Sequence, residues 1–197
     1  LDILIDIDKN KEELWSSISS KARNKIRKAY RSELVFSSLV PGQSDIDKAY
    51  QILRDVYKNA RIPLADKSLF VNAFEILGSR NQIKLFCAKK NGKIIGIRIG
   101  LLYKDSIYDW YAGSLFEYYS ENPNDFLPYE TMVWGFENGF KIFDFGGAGK
   151  PNEHCGVRDH KMKFGGEVIE FGRFEKIHKP ILMRLAIIGL KIYKKIK

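Results

Sequence analysis

The chain has 197 residues, 45% hydrophobic and 13% aromatic, so it can bury one substantial core but is too short for two full domains. That content of large apolar side chains excludes an intrinsically disordered chain. The formal charge of +9 is localised: residues 9–31 have eight Lys/Arg against two Glu, and residues 176–197 have seven Lys/Arg and no acid. This distribution predicts a contact surface for phosphates or anionic lipid, with two solvated helix faces as the alternative.

The first 33 residues are expected to supply an N-terminal strand and a basic helix leading into the main domain. The stretch KEELWSSISSKARNKIRKAYRS is interpreted as one helix, because Ile18, Ala22 and Ile26 recur at helical spacing. Its basic residues form two rows, and like charges at that spacing repel each other, so we expect the helix to face an anion. The candidate substrate-binding residues here are Arg23, Arg27 and Lys28.

Residues 34–175 are expected to form the main domain. The predicted elements are, in chain order, a strand at 34–40, helices at 45–60 and 67–79, strands at 83–90, 93–103 and 107–113, a helix at 126–139, and strands at 141–145 and 167–176. Asn91-Gly92 predicts a tight hairpin turn between the second and third strands. This order predicts an α/β fold in which helices flank one mixed central sheet.

Two residues of the strand IYDWYAG are candidates for a binding site. Simple alternation would place Asp109 and Tyr111 on one face of the sheet and Trp110 on the other. Asp109 could accept a proton or satisfy a backbone group, and Tyr111 could form a pocket wall or part of the core.

A glycine-rich segment, FDFGGAGKPNEHCGVRDHKMKFGG, is predicted to be an ordered loop beside a ligand. Glycines let a backbone approach a ligand closely, and this interpretation suits Gly146 and Gly147, whereas turn formation suits Gly165 and Gly166 better. Arg158 could contact a phosphate or lie on a solvated loop.

The segment 176–197 is predicted to be a basic amphipathic helix, apolar over most of its circumference. Its uninterrupted apolar run, 185–190, is far too short to span a bilayer, so the helix could lie in a membrane interface or pack on a domain. The two cysteines, Cys87 and Cys155, fit a reducing compartment. We therefore expect a cytoplasmic protein, with contact at the inner face of the membrane left open.

Several motifs in order resemble the second, GNAT-like domain of the Fem-type (FemABX) peptidyltransferases, the family of lipid II:glycine glycyltransferase. They are YAGS after a strand (111–114), a helix ending in Asn-Gly (138–139), the strand FDFGG (143–147) and GVRDHKMKFGG (156–166). The resemblance implies a GNAT-like acyltransferase fold with an acyl carrier and an amine acceptor on opposite sides of the sheet. It also implies aminoacyl-tRNA as donor, an envelope precursor as acceptor, and a further GNAT-like domain upstream.

The family's late motif reads Phe-Lys where this chain has His160-Lys161, so the resemblance assigns a role to Lys161. A lysine ammonium can stabilise the oxyanion of acyl transfer, and Lys161 is the catalytic candidate. As an exposed lysine it is expected to contribute little to the stability of the fold. A pyrophosphate-binding signature of the form Gln/Arg-x-x-Gly-x-Gly/Ala does not occur in the sequence, which weakens the case for coenzyme A.

The sequence therefore predicts an N-acyltransferase that transfers an aminoacyl or peptidyl group to an amine of a lipid-linked or nucleotide-linked peptidoglycan or other cell-envelope precursor, without a bound cofactor or metal. One alternative is an acyl-CoA-dependent GNAT enzyme that acts on a smaller amine. The other is a basic module that binds RNA or membrane without catalysis. Aromatic stacking platforms interleaved with the basic residues, of the kind that RNA-binding surfaces use, are not evident in the basic stretches, which counts against a dedicated RNA-binding module.

Overall fold

The computed structural model describes residues 1–172 and 175–195, and the bounds of all helices and strands hold within those ranges. The strands are β1 Asp2–Asp6, β2 Val35–Leu39, β3 Ile83–Lys90, β4 Lys93–Tyr103, β5 Ser106–Ser114, β6 Ile142–Gly147 and β7 Glu167–Ile169. The α-helices are α1 Lys11–Ser17, α2 Ser20–Arg31, α3 Gln43–Ala60, α4 Lys67–Gly78, α5 Pro123–Glu137, α6 Gly156–Met162 and α7 Pro180–Lys195, and a 3₁₀ helix spans Phe116–Glu121.

The seven strands form one mixed sheet in the order β2-β3-β4-β5-β6-β1-β7. The pair β5–β6 is parallel, and the other neighbours are antiparallel. The turn Asn91-Gly92 joins β3 to β4, and both residues have the positive φ that such a turn needs. The predicted α/β fold, a mixed central sheet flanked by helices, is confirmed.

Helices cover the two faces of the sheet separately. On one face, α3 and α4 pack their apolar side against β3, β4 and β5, with Leu53 and Phe70 buried at the contact. On the other face, α1, α2 and α5 pack against β1, β5 and β6, with Ile26 and Met132 buried there. Helices α2 and α3 show the amphipathic spacing from which they were predicted, whereas α5 is buried over most of its circumference.

The prediction of one continuous basic helix at the N-terminus is wrong. Ile18 has an extended backbone between α1 and α2, and the Ser19 side chain caps α2 by accepting a hydrogen bond from the amide of Ala22 at 3.3 Å. The Ser19 amide donates to the carbonyl of Lys163 at 2.8 Å. The break therefore joins the start of α2 to the residues that follow α6.

The prediction that Asp109 and Tyr111 share a face is also wrong. The register between β4 and β5 pairs Ile99 with Tyr111 and Gly100 with Asp109, so Trp110 is the extra residue of a β-bulge. Beyond the bulge the side chains change face. Tyr111 packs edge-on to Phe70 under α3 and α4, at 4.8 Å between ring centroids, whereas Asp109 lies on the other face.

Three further expectations concern the end of the chain. The loop predicted before Phe164 contains helix α6. The strand predicted at 167–176 is observed as β7, three residues long, and Arg173 and Phe174 lie outside the described residues. The terminal helix is present as α7, and its predicted last two residues also lie outside them. The division into 1–33, 34–175 and 176–197 stays a prediction.

Gly166 generates a prediction about packing. A Cβ added there would lie 2.7 Å from Ile3, 2.8 Å from Ile5 and 2.8 Å from the backbone oxygen of Leu4, whereas a Cβ on Gly147 would meet nothing within 4 Å. We expect Gly166→Ala to lower the free energy of unfolding by about 1–3 kcal/mol, because a strand backbone cannot retreat. Gly147→Ala is the control, and urea denaturation is the measurement. Equal stability of the two variants would contradict this close packing of Gly166 on β1.

Candidate active site

The central feature of the site is a gap between two parallel strands. β5 and β6 are paired through Ser106–Ile142, Ile107–Phe143 and Tyr108–Asp144. Beyond these positions β5 continues to Ser114 and β6 to Gly147 without further mutual pairing among the described residues. The open ends of such strands are where α/β sheets bind ligands.

A buried ion pair lies where the strands separate. The guanidinium of Arg98 on β4 contacts the carboxylate of Asp109 on β5, and both side chains are less than a tenth exposed. The guanidinium also lies over the rings of Phe143 and Phe145, at 6.0 and 5.4 Å from the centroids. Burial raises the pKa of Asp109, and the charges of Arg98 and then Lys161 oppose that rise.

Lys161 lies on α6, not on a loop, and its ammonium group enters the gap. The Nζ atom donates to the backbone carbonyls of Phe145, Gly146 (3.4 Å) and Gly147 (3.0 Å), which are the last residues of β6. Burial lowers the pKa of the ammonium, Asp109 opposes this, and Arg98 adds to it. The sequence interpretation of Lys161 as an exposed lysine is therefore wrong, and its catalytic role stays a proposal.

The other candidates from the glycine-rich segment have structural contacts. Gly146 has φ +66°, its amide donates to Asp144 Oδ1 at 2.7 Å, and a Cβ there would lie 3.2 Å from the Tyr108 ring. Gly147 has open space at the Cβ position and is exposed. Arg158 Nε donates to the carbonyl of Ala148 at 2.8 Å, and one of its Nη atoms to that of Lys150. Arg158 therefore holds the loop after β6, and ligand binding by it stays a prediction.

A cavity of about 470 Å³ lies beside the gap. Strands β4 and β5 contribute Arg98 and Ala112–Ser114 to its wall, and the helices contribute the remainder. The charged or titratable side chains of the wall are Lys25, Arg98, Tyr119, Asp125 and His160. This cavity therefore combines the small residues of β5 with a concentrated set of groups that can bind anions and move protons.

Asp125 in the first turn of α5 is 3% exposed and organises one side of this cavity. Its Oδ2 accepts from Lys25 Nζ at 3.2 Å, across 100 residues of sequence. No donor among the described residues reaches its buried Oδ1. Next to it, the Ser114 hydroxyl donates to Asn124 Oδ1 at 2.8 Å.

His160, adjacent to Lys161 on α6, lines the same cavity. Its ring packs edge-on to that of buried Phe164, at 5.6 Å between centroids. Burial lowers the pKa of His160, the Asp125 carboxylate opposes the shift, and the cations Arg98, Lys163 and Lys25 add to it. The lowered pKa favours the neutral imidazole, which can accept a proton.

The predicted anion-binding row on α2 reaches the cavity through Lys25, which was not among the selected candidates. Arg27 donates to Asn24 Oδ1 at 3.0 Å and lies over the Trp15 ring, 5.2 Å from its centroid. Arg23 is half-buried, and Lys28 is exposed. The binding role of Arg23, Arg27 and Lys28 stays a prediction.

Sequence reasoning missed Arg98, Asp125 and Lys25 as site residues. Arg98 lies inside the apolar strand KIIGIRIGLLY, and a lone charge in such a run was the available signal. His160 was noticed as a departure from the family motif and was given no role. The contact between Lys25 and Asp125 could not be predicted from neighbouring residues, because the two lie 100 positions apart in the sequence.

The first turn of α5 does not fit the pyrophosphate of coenzyme A, which needs free backbone amides at a helix N-terminus after a central strand. Pro123 there has no amide hydrogen, and the amides of Asp125 and Phe126 donate to the carbonyl of Asn122 at 3.1 and 3.0 Å. The buried carboxylate of Asp125 adds negative charge. That coenzyme A is not the carrier stays a prediction, and no step of the proposed reaction passes through it.

The sequence matches the profile of a family described as the acetyltransferase (GNAT) domain over residues 16–162. No curated protein matched the sequence.

Solved structures share the fold. The crystal structure of FemX is 17% identical with a TM-score of 0.74, and the match covers 84% of this chain and 58% of that one. The C-terminal domain of a putative lysylphosphatidylglycerol synthetase from Agrobacterium fabrum is 16% identical with a TM-score of 0.61 and coverages of 84% and 56%. AAC(6')-Iy, solved with the bisubstrate analogue CoA-S-monomethyl-acetylneamine, is 13% identical with a TM-score of 0.53 and coverages of 74% and 99%.

At these identities the likeness concerns the fold alone, and the chain spans a little over half the length of the first two proteins. The predicted GNAT-like fold is confirmed.

The contacts of Lys161 generate a prediction that reverses the expectation from sequence. Lys161→Ala leaves the carbonyls at the end of β6 without their charged donor, so we expect the free energy of unfolding to fall by about 1–3 kcal/mol. Lys163→Ala, two residues later, should change it by less than about 0.5 kcal/mol. Chemical denaturation of both variants is the measurement. A fully stable Lys161→Ala protein would mean that the ammonium does not hold β6.

Proposed function

The chain belongs to the acetyltransferase (GNAT) domain family, and from this premise we propose that it transfers an aminoacyl or peptidyl group to an amine of a cell-envelope precursor. The observation that carries the proposal is the strand gap, where the cations Arg98 and Lys161 surround one carboxylate beside a cavity that contains a neutral imidazole. Such a site suits attack by an amine on an acyl carbonyl, because negative charge develops on oxygen and a proton leaves nitrogen.

The donor in this proposal is aminoacyl-tRNA. One feature supports it over acyl-CoA: the first turn of α5 offers a prolyl nitrogen and a carboxylate where a pyrophosphate needs amides. The basic face of α2, which ends at the cavity with Lys25, would contact the phosphates of the RNA. A lipid-linked or nucleotide-linked precursor is the proposed acceptor.

In the proposed reaction the acceptor nitrogen attacks the ester carbon and forms the C–N bond. The charges of Lys161 and Arg98 stabilise the oxyanion, and His160 accepts the proton that leaves nitrogen. Collapse of the tetrahedral intermediate breaks the ester C–O bond, and the departing ribose oxygen takes from protonated His160 the proton that the amine had lost, which returns His160 to its neutral form. Asp109 holds the Arg98 guanidinium in place and does not itself transfer a proton.

Transfer of a radiolabelled aminoacyl group tests the donor. We expect label to move from aminoacyl-tRNA to an amine of a nucleotide-linked or lipid-linked peptidoglycan precursor, and calorimetry with acetyl-CoA to give no binding heat. Under conditions in which the Lys161→Ala variant is folded, its kcat should be lower by a factor of about 10²–10³. Micromolar binding of acetyl-CoA with acetyl transfer to a small amine would replace the proposal with the alternative of an acyl-CoA-dependent enzyme.

A pH profile tests His160. Because its pKa is lowered from the ordinary value of 6.5, the imidazole loses its proton below that pH as pH rises, and kcat/KM should show an acidic limb below pH 6.5. His160→Gln should lower kcat by about 10²–10⁴ and remove this acidic limb. His154→Gln is the control, since the His154 side chain is 87% exposed. An unchanged acidic limb in His160→Gln would exclude His160 as the base.

A further inference from the structure

Helix α7 presents a large apolar surface that no other part of the described structure covers. Every described side chain from Pro180 to Tyr193 is exposed. The most exposed apolar stripe is Ile181, Leu185, Ile188 and Ile192, with exposures of 76%, 61%, 54% and 53%. Soluble domains rarely leave so many large apolar side chains in contact with water, so this surface requires a partner.

The positive charge of the segment that contains α7 indicates which kind of partner could cover this surface. Between residues 176 and 197 there are seven Lys/Arg and no acid. Arg184 and Lys191 lie seven residues apart and therefore share one side of the helix. An anionic surface complements this segment, whereas a second copy of the same helix would bring like charges together.

The width of the apolar surface also favours a lipid bilayer over a second helix. At 3.6 residues per turn, the apolar positions from Ile188 round to Met183 cover an arc of about 220°, and the remainder holds the basic stripe, interrupted by Ile187 and Pro180. A seam between two helices uses a narrower stripe, whereas a helix that lies in a bilayer interface buries a wide one. Lysine and arginine beside that arc can extend their charges to the headgroups while their methylene groups stay in the apolar layer.

We propose that α7 is an interfacial anchor that lies in the plane of an anionic lipid bilayer, with the Ile181–Ile192 stripe in the acyl layer and the basic stripe at the headgroups. No described helix of the chain combines the length and the hydropathy needed to cross a membrane. The anchor therefore lies on the bilayer and does not span it. This inference does not depend on the acyl-transfer reaction.

Co-sedimentation of the whole chain with lipid vesicles is the test. We expect binding to vesicles of phosphatidylcholine with 30% phosphatidylglycerol, weaker binding to pure phosphatidylcholine, and a decrease when NaCl rises from 0.1 to 0.5 M. Ile188→Glu should lower the apparent affinity about tenfold or more, because one buried isoleucine is lost and a negative charge is added.

The matched control is Ile76→Glu. Ile76 is an exposed helical isoleucine on α4, at 56% against 54% for Ile188, and this variant should bind vesicles like the original chain. Circular dichroism would verify that both variants fold. Absence of binding to the anionic vesicles, or equal loss in the two variants, would overturn the proposal. If the chain does not bind vesicles but forms a dimer that Ile188→Glu converts to a monomer, the partner of this surface is a second copy of the chain.

Vesicle binding requires neither donor nor acceptor, so its failure is distinguishable from failure of the proposed function. A chain that transfers aminoacyl groups but ignores vesicles would refute the anchor alone. A chain that binds vesicles through Ile188 but transfers nothing would refute the proposed function alone.

Discussion

The structure depends on one constraint: β5 and β6 separate after three paired positions, and the backbone groups released by that separation must still find partners. The carbonyls of the last three residues of β6 lie within reach of the gap, and a buried oxygen left unpaired there is costly. Lys161 supplies them with donors from α6, and the amide of Gly146 finds Asp144. The same opening that creates a binding site therefore fixes the position of α6 and, with it, of His160.

The Arg98–Asp109 ion pair lies on the β5 side of the same gap. Burying two charges is expensive, and replacing such a pair with apolar residues is often neutral or stabilising, so stability alone does not explain the pair. It lies between the bulge at Trp110 and the rings of Phe143 and Phe145, and it completes the group of charges around Lys161. Its position suggests a role in the chemistry of the gap, with Asp109 as the group that orients the cation.

A helix, strand or turn could be predicted from the sequence where its own residues contain the signal for it. The amphipathic spacing of α3 and the Asn91-Gly92 turn both predicted elements that the structure contains. The features that escaped prediction depend on tertiary partners. The break at Ile18 is fixed by a bond from Ser19 to Lys163, and the bulge at Trp110 by the register with β4. Helix α6 is only seven residues long and is held by contacts of Lys161 and Arg158 that no short window of sequence contains.

The number of Lys and Arg residues in a segment predicted which region of the chain is basic, but it did not predict which of those residues lie in the candidate site. The count placed a basic surface at α2, yet Lys25 forms an internal pair with Asp125, and Arg27 lies over Trp15. These contacts convert part of the predicted surface charge into the wall of a cavity. On α7, the apolar and the basic side chains that the structure describes are exposed together. The two basic segments therefore differ physically: α2 brings positive charge to the candidate active site, whereas α7 carries a basic, apolar surface that the other described residues leave exposed.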